Sequence, residues 1–185
     1  MQHAEMVALI RAGVQREDGR GGVWADLGAG TGNFTWALAE LLGAGATIHA
    51  IDRDAKAVRA LGERIEREPP AATILPQQRD VTGSLALPPL DGVLAANLLH
   101  FVRGQEELLR RLRGLVAPGG RLLVIEYEQS LPIPWVPHPL PYRRLAALAE
   151  AAGWRELREV GRRVSPSSGQ AMYAASAVSR DPSRT

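Results

Sequence analysis

Three alternating glycines and an acidic residue offer the clearest chemistry in this sequence. Gly28, Gly30 and Gly32 follow a short apolar run, Asp26 stands two positions before the first of them, and an apolar pattern with helical spacing begins at Phe34. This order predicts a buried strand, a tight turn and a helix. Glycine permits positive φ and close approach of a ligand, and the start of a helix presents unpaired N–H groups. The stretch is therefore a candidate site for a nucleotide or a carboxylate.

Two further acidic residues follow the next two predicted strands. Asp52 ends the strand predicted at 47–51, and Asp80 comes just after the strand predicted at 73–78. Open α/β sheets bind ligands beyond the carboxyl ends of their strands, so Asp52 is placed to accept hydrogen bonds from ribose hydroxyls. Asp54 is predicted to cap the following helix, although Asp52 could do so instead. Asp80 could bind a ligand or only form an Asx turn.

A histidine follows the strand predicted at 91–96, in the run Asn97-Leu-Leu-His100-Phe. An imidazole with a pKa near neutrality could take a proton from a bound hydroxyl, which makes His100 a candidate general base. The alternative is that His100 hydrogen-bonds the loop backbone and shapes a pocket. Both interpretations remain open.

A proline-rich segment, 131–141, follows the strand predicted at 121–125 and contains Trp135 and His138. So many prolines exclude a helix or an inner strand. The segment is predicted to be either a wall of a substrate pocket or a surface connection stiffened by proline. Large apolar side chains such as Trp135 favour the wall.

Apolar periodicity predicts the remaining elements. The predicted helices are 4–12, 34–42, 55–67, 105–116 and 142–152, and the predicted strands are 23–27, 47–51, 73–78, 91–96, 121–125, 154–164 and 171–178. Strands thus alternate with helices, as in an α/β fold, and the last two strands form a hairpin.

Composition limits the function classes. The chain has 185 residues, 45% of them hydrophobic and 23% charged, which suits one globular domain. Without cysteine there is no disulfide or thiolate nucleophile, and the scattered histidines predict no metal site. Acidic residues interleave with the basic ones at a net charge of +2, so a nucleic-acid partner is not expected. No apolar run is long enough to cross a membrane and the start lacks signal-peptide features, so a cytoplasmic protein is expected.

The acidic residue and the three glycines, read as Asp26-Leu-Gly28-Ala-Gly30-Thr-Gly32, resemble the first motif of class I S-adenosylmethionine-dependent methyltransferases. A dinucleotide fingerprint is not met, because Asn33 stands where its third glycine would be. The run LRGLVAPGGRLLVIEYE at 112–128 closely resembles the helix, turn and fifth strand of these enzymes. The resemblance implies a doubly wound, mostly parallel seven-stranded Rossmann-like sheet with helices on both faces and an antiparallel last strand. It implies a single domain over 1–178, with an N-terminal helix and link at 1–22 and a flexible tail at 179–185.

The resemblance also implies site residues and S-adenosylmethionine as the methyl donor, with S-adenosylhomocysteine as product. The expected cofactor-binding residues are Asp26, Gly28, Gly30 and Asn33 for the methionine end, Asp52 for the ribose, Asp80 and Val81 for the adenine, and Ala29, Gly32, Arg53 and Asn97 without an assigned part. The expected acceptor pocket comprises His100, Tyr127, Trp135, His138 and Tyr142. In the methyltransferase reading, the first helix packs over the cofactor end of the sheet, whereas it could also be a simple packing helix.

The run after the fourth strand bears on the acceptor. Methyltransferases that act on exocyclic amines of bases or on glutamine usually carry two prolines and an aromatic after the Asn or Asp found here. Those prolines are absent after Asn97, and the leucine-rich run with His100 looks more like the small-molecule branch. We therefore predict methyl transfer to a small-molecule acceptor. The alternatives are an rRNA or protein methyltransferase, an NAD-binding oxidoreductase, and a noncatalytic cofactor-binding relative that acts as a partner subunit. The oligomeric state is left open.

Overall fold

The computed structural model describes residues 1–14, 21–165 and 168–179. Within these ranges the chain forms α1 (His3–Val14), β1 (Val23–Leu27), α2 (Asn33–Leu42), β2 (Thr47–Asp52), α3 (Ala55–Arg67), β3 (Thr73–Gln78), β4 (Leu90–Ala96), a 3-10 helix (Leu99–Phe101), α4 (Gln105–Leu115), β5 (Val116–Tyr127), α5 (Tyr142–Ala151), β6 (Trp154–Val164) and β7 (Ala171–Ser179). The predicted elements are all present, with small shifts at their ends.

The strands form one sheet in the order β3-β2-β1-β4-β5-β7-β6. Strands β1 to β5 are parallel to one another, and β7 lies antiparallel between β5 and β6. The strand order reverses at β1, where β2 pairs on one side and β4 on the other. Doubly wound sheets bind their ligands at such a switch point, so the site is expected beyond β1 and β4. The predicted fold class is confirmed.

Helices cover both faces of the sheet, because the central strands are apolar on both sides. On one face, a cluster of buried residues joins the strands to Leu109 of α4 and Leu145 of α5. On the other face, a second cluster includes Ile10 of α1, Leu38 of α2 and Leu61 of α3. Because β1 to β5 are parallel and packed on both faces, their carboxyl ends lie together at one edge of the sheet.

Two predicted boundaries need correction. The fifth strand was expected to begin at Arg121 but begins at Val116, which pairs with Leu90 before a register shift between Leu90 and Gly92. The Pro118-Gly119-Gly120 segment therefore lies inside an irregular strand start, with Gly119 at a φ of 76°. At the other end, β7 extends to the buried Ser179, one residue into the predicted tail.

The predicted link and the predicted tail lie largely outside the residues that the structure describes. Most of the link at 18–22 and the tail beyond residue 179 lie outside the described residues, so the proposed division of the chain into domain, link and tail stays a prediction. No helix in the described part of the chain is long and apolar enough to cross a membrane.

Candidate functional site

Two neighbouring cavities open at the carboxyl edge of the sheet. The first, of about 390 Å³, lies beyond β1, β4 and β5, and Asp26, Asn33 and Tyr127 are among its lining residues. The second, of about 320 Å³, lies beyond β2, β3 and β4. Gly28 and Asn97 line both cavities, so the two adjoin at these residues and make up one candidate site. Each volume falls within the usual range for small-molecule pockets, about 300–1,000 Å³.

The glycine turn borders the first cavity. It is held against the end of β2, because the N–H groups of Gly28 and Ala29 both donate to the Ile51 carbonyl at 2.8 and 3.0 Å. Gly28 and Gly30 have φ of 70° and 55°, which side chains other than glycine rarely adopt. A Cβ on Gly30 would meet no atom within 4 Å, so the backbone there is open to a ligand.

The start of α2 faces the same cavity. Gly32 precedes this helix with a φ of 87°, and no side chain caps its first N–H groups. Asn33 and Phe34, the first residues of the helix, both line the first cavity. Uncapped N–H groups and the positive end of the helix dipole form a suitable site for a carboxylate.

Asp26 is a buried carboxyl group at the end of β1, only 1% exposed. Burial raises the pKa of Asp26 to about 7, and the negative charge of Asp52 adds to this, while a hydrogen bond from Thr35 opposes it. The Thr35 hydroxyl donates to Asp26 Oδ2 at 2.6 Å. A carboxylate in this position is stabilised by a nearby cation, such as the ammonium group of an amino acid.

Asp52 connects the glycine turn to the second cavity. Its Oδ2 accepts the Gly30 N–H at 2.8 Å, and its Oδ1 accepts the Asp54 N–H at 2.9 Å. Each carboxylate oxygen can accept a further hydrogen bond, so the group remains able to bind hydroxyls. The prediction that Asp54 caps α3 is confirmed, since its side chain accepts the Lys56 N–H at 2.9 Å.

Asp80 and Val81 line the second cavity together with Leu98, Phe101 and Val102. The Thr82 hydroxyl and N–H donate to Asp80 Oδ1 at 2.7 and 2.8 Å. These hydrogen bonds, with the charge of Arg53, lower the pKa of Asp80. The Asx turn considered as an alternative thus forms, while Asp80 still borders the cavity. The neighbouring apolar side chains suit a flat ring such as a nucleobase.

Asn97 lies where the two cavities meet. Its φ is 53°, unusual for a residue with a side chain, and its N–H donates to the Ile125 carbonyl at 2.9 Å. Its side-chain oxygen is buried and has no hydrogen-bond partner among the residues described. An orphaned buried acceptor costs about 1–3 kcal/mol, which a ligand with an N–H or O–H donor would recover.

His100 is 2% exposed and lies behind the cavities, lining neither of them. Its ring centroid is 4.2 Å from that of Phe101 and 5.8 Å from that of Tyr127, residues that line the second and first cavity respectively. Its Nδ1 donates to Glu126 Oε2 at 2.6 Å, and its backbone N–H donates to Oε1 of the same carboxylate at 3.2 Å. This bond fixes the orientation of the ring and leaves Nε2 as the nitrogen that does not contact Glu126.

Two partners of predicted site residues were missed in the sequence. Glu126 holds His100, and Thr35 holds Asp26. Glu126 could have been found, because it is a polar residue directly after four apolar ones at the carboxyl end of a central strand. Thr35 gives no comparable signal. Among the residues that the structure describes, no three histidine, aspartate or glutamate side chains are grouped to hold a metal ion.

The residues expected to form the acceptor pocket are not all brought together. Tyr127 lines the first cavity, whereas Trp135, His138 and Tyr142 line neither cavity. Trp135 is 56% exposed, and the His138 N–H donates to the His100 carbonyl at 2.9 Å. Tyr142 packs edge-on against Tyr173, with ring centroids 5.7 Å apart. The proline-rich segment is thus tied to His100 through its backbone.

Comparisons with known proteins identify the family and the fold of the chain. A family model described as a methyltransferase domain matches residues 25–122, slightly more than half of the chain. No curated protein matches the chain by sequence. The YcgJ protein from Bacillus subtilis superposes with a TM-score of 0.76 at 11% identity, covering 97% of this chain and 100% of that one. A SAM-dependent methyltransferase from Methanosarcina mazei gives a TM-score of 0.72 at 14% identity, over 92% of this chain and 97% of its own.

A third structure contains ligands. Phosphoethanolamine N-methyltransferase 2 from Haemonchus contortus, in complex with phosphomonomethylethanolamine and S-adenosylhomocysteine, gives a TM-score of 0.74 at 14% identity. The match covers 96% of this chain but only 53% of that one, so the chain spans about half of the Haemonchus enzyme. At these identities the structures establish the shared fold.

The chain belongs to the methyltransferase domain family, the class I Rossmann-like methyltransferases that depend on S-adenosylmethionine. The prediction of S-adenosylmethionine as cofactor is confirmed at the level of this family. The residues present fit such a group: the open backbone at Gly30 faces the first cavity, and the orphaned oxygen of Asn97 lies at the junction of the two cavities.

Proposed function

We propose that this chain transfers a methyl group from S-adenosylmethionine to a small-molecule acceptor. One observation carries the proposal: the two cavities meet at Gly28 and Asn97, so an extended cofactor can lie across both. The second cavity matches the adenosine in polarity, with carboxylates beside an apolar slot. The first has the uncapped helix start and the buried carboxyl group that an amino acid requires.

Each predicted cofactor residue takes a part in this arrangement. Asp26, the glycine turn (Gly28, Ala29, Gly30, Gly32) and Asn33 hold the methionine end, Asp52 and Arg53 the ribose, and Asp80 and Val81 the adenine. The side-chain oxygen of Asn97 accepts a hydrogen bond from the bound cofactor. When bound, S-adenosylmethionine supplies an electrophilic methyl group, and the electron pair of the broken S–C bond stays on sulfur. Alignment of the two reactants supplies about 7–11 kcal/mol in favourable cases.

We further propose two alternative roles for His100, a general base for an acceptor that loses a proton or a scaffold of the pocket. Because His100 lines neither cavity, the first role requires a movement that brings Nε2 within hydrogen-bond reach of the acceptor. Glu126 fixes the imidazole so that Nε2 is free to accept that proton, and the Glu126 carboxylate then stabilises the resulting imidazolium. The scaffold alternative is supported by the His138 N–H bond to the His100 carbonyl. The two roles make different predictions for His100→Asn. A base gives a loss of about 10²- to 10⁴-fold in kcat with acceptor binding retained, whereas a scaffold gives weaker acceptor binding.

Glu126→Gln is a companion variant for the same question. A positioning partner of a base should shift the pH dependence of kcat and lower kcat less than His100→Asn does. If the pH profile is unchanged, Glu126 does not act through His100. The small-molecule acceptor is supported by the absence of the proline pair after Asn97 and by the volume of the first cavity, about 390 Å³, which suits a small molecule. The cytoplasmic location stays a prediction.

Thermal unfolding with S-adenosylhomocysteine or NAD tests the cofactor assignment. S-adenosylhomocysteine at 100 times its dissociation constant should stabilise the protein by about 2.7 kcal/mol. A shift with NAD and none with S-adenosylhomocysteine would contradict the proposal. Binding without methylation of any small molecule, but with methylation of rRNA or protein, would support the macromolecular alternative. Binding with no methylation at all would support a noncatalytic partner subunit.

A further inference from the structure

The order of the strands separates the two ends of the site. The second cavity extends toward β2 and β3, whereas the first extends in the opposite direction, toward β5 and β7. The adenosine occupies the β2–β3 side in the proposed function. Tyr127 at the end of β5 and Met172 near the start of β7 therefore border the part of the first cavity that remains for the acceptor.

This acceptor end has an unusual wall. The chain contains three methionines, and all of them, Met1, Met6 and Met172, line the first cavity. Met6 comes from α1 and Met172 from β7, and both are buried. Thioethers are polarisable, adapt to irregular shapes and make favourable contacts with aromatic rings. With Tyr127, these side chains form a surface suited to a flat apolar molecule.

The two cavities also differ in the charged side chains that line them. Among the described residues that line the first cavity, Asp26 is the only one with a charged side chain, and it lies at the glycine turn where the methionine ammonium is placed. The second cavity, by contrast, is bordered by Asp52, Arg53 and Asp80. A carboxylate or phosphate on the acceptor would lose its hydration at the acceptor end without gaining a cationic side chain among the described lining residues.

Three exposed apolar side chains lie at or after the strand ends near the cavity, beside polar pairs such as Gln129–Gln170 and Glu5–Arg163. Leu131 and Trp135 follow β5 and are 75% and 56% exposed, and Val164 at the end of β6 is 64% exposed. Because β6 runs in the same direction as β5, all three lie at the same edge of the sheet as the first cavity.

We propose that the acceptor is an uncharged molecule with a flat apolar body, held between Met6 and Met172 against the ring of Tyr127. The inference rests on the proposed function, because it assigns the other end of the site to the cofactor. It makes Met6 and Met172 determinants of specificity, selecting against acceptors that carry a permanent negative charge.

Calorimetry on the complex with S-adenosylhomocysteine tests this with two matched probes, 2-naphthol and 6-hydroxy-2-naphthoate, which differ by a carboxylate. We expect 2-naphthol to bind about tenfold or more tightly than the carboxylated probe. Equal affinity, tighter binding of 6-hydroxy-2-naphthoate, or no binding of 2-naphthol would overturn the inference. Failure of S-adenosylhomocysteine itself to bind would instead refute the proposed function, and the inference with it.

Met172→Lys places a positive charge in the wall and should reverse the preference toward 6-hydroxy-2-naphthoate. Val164→Lys is the matched control, because it adds the same charge to an exposed position outside the cavity. If both variants reverse the preference between the two probes equally, the added charge acts through a long-range electrostatic field. That result would contradict contact between the acceptor and Met172. If Met172→Lys does not fold, Met6→Gln should weaken 2-naphthol binding about tenfold while S-adenosylhomocysteine affinity stays within about twofold. Unchanged 2-naphthol affinity would then overturn the inference.

Discussion

The two halves of the carboxyl edge are built differently. In the half formed by the ends of β1, β2 and β3, carboxylates hold nearby backbone in place: Asp52 binds the N–H groups of Gly30 and Asp54, and Asp80 binds Thr82. In the half formed by the ends of β5, β6 and β7, the cavity wall consists of side chains from distant parts of the chain, such as Met6 and Met172.

This difference indicates which part of the site is preorganised. Backbone groups fixed by charge-assisted hydrogen bonds lose little freedom when a ligand binds, which favours tight and invariant recognition. Methionine side chains with several rotatable bonds can adjust to ligands of different shape. In the proposed function the half at β1, β2 and β3 holds the cofactor (the cofactor half) and the half at β5, β6 and β7 holds the acceptor (the acceptor half). We therefore expect the cofactor half to be rigid and selective and the acceptor half to be adaptable. The four predictions below test that contrast, from the largest expected effect to the smallest.

The largest effect concerns the pH dependence of stability at Asp26. Its pKa is raised to about 7 in the folded protein, so the native state binds more protons than the unfolded state above about pH 4. The stabilisation by the protonated form is complete below the unfolded pKa and is lost as the pH rises through the folded pKa. Relative to Asp26→Asn, the wild type should lose about 4 kcal/mol of unfolding free energy between pH 4 and pH 8.

Chemical denaturation of both proteins across this pH range measures the difference. Parallel pH profiles for wild type and Asp26→Asn would contradict it. The cofactor half adds a further expectation, because an ammonium group beside Asp26 favours its charged form. Saturating S-adenosylhomocysteine should therefore reduce the pH dependence, with proton release on binding near pH 7 in calorimetry performed in two buffers.

The next effect is on cofactor affinity at the end of β2. Asp52→Ala removes an ionised acceptor from the second cavity and frees the Gly30 N–H, so S-adenosylhomocysteine binding should weaken by about 1.5–3 kcal/mol. Asp54→Ala is the matched control at the neighbouring position. It removes only the cap of α3 and should cost about 1 kcal/mol of stability without a change in affinity. If both variants lose S-adenosylhomocysteine affinity equally, the loss comes from a disturbed loop after β2 and not from the missing Asp52 carboxylate.

A smaller effect separates backbone strain from ligand contact in the glycine turn. Gly30 and Gly45 both have positive φ, 55° and 85°, and a Cβ on either would meet nothing within 4 Å. Alanine should cost about 1–2 kcal/mol of stability at each position, because both adopt a left-handed conformation. Only Gly30→Ala should also weaken S-adenosylhomocysteine binding, since Gly30 lines the first cavity and Gly45 does not. Unchanged affinity in Gly30→Ala would show that the cofactor does not approach this backbone.

The smallest effect is expected at Trp135 in the acceptor half. Because its side chain is 56% exposed and lines neither cavity, Trp135→Ala should change stability by less than about 0.5 kcal/mol and leave S-adenosylhomocysteine affinity unaltered. Tyr142→Ala should destabilise more, since Tyr142 packs on the buried Tyr173. Thermal unfolding distinguishes them. A larger loss for Trp135→Ala would mean that the proline-rich segment packs against the site more closely than the described contacts show.

The sequence predicted the local structure around the glycine turn and the end of β2 well, because its constraints are local. The segment from Asp26 to Gly32 contains the end of a strand, a turn and the residue before a helix. The positive φ of Gly28 and Gly30 restricts these positions largely to glycine. Asp52 and Asp54 are likewise separated by one residue, so cap and strand end could be assigned from spacing. The boundary of β5 was missed, because its start depends on pairing with Leu90, which no local pattern reveals.

The acceptor half depended on long-range packing. From the residues alone, an aromatic in a proline-rich segment suggested a pocket wall, yet Trp135 and Tyr142 line neither cavity, while Met6 and Met172 do. The sequence by itself determined the α/β class, the family and the glycine turn, because short-range backbone geometry restricts residue type. Only the tertiary structure decided that Glu126 holds His100 and which side chains line the first cavity, because those contacts join segments that the sheet brings together across the chain.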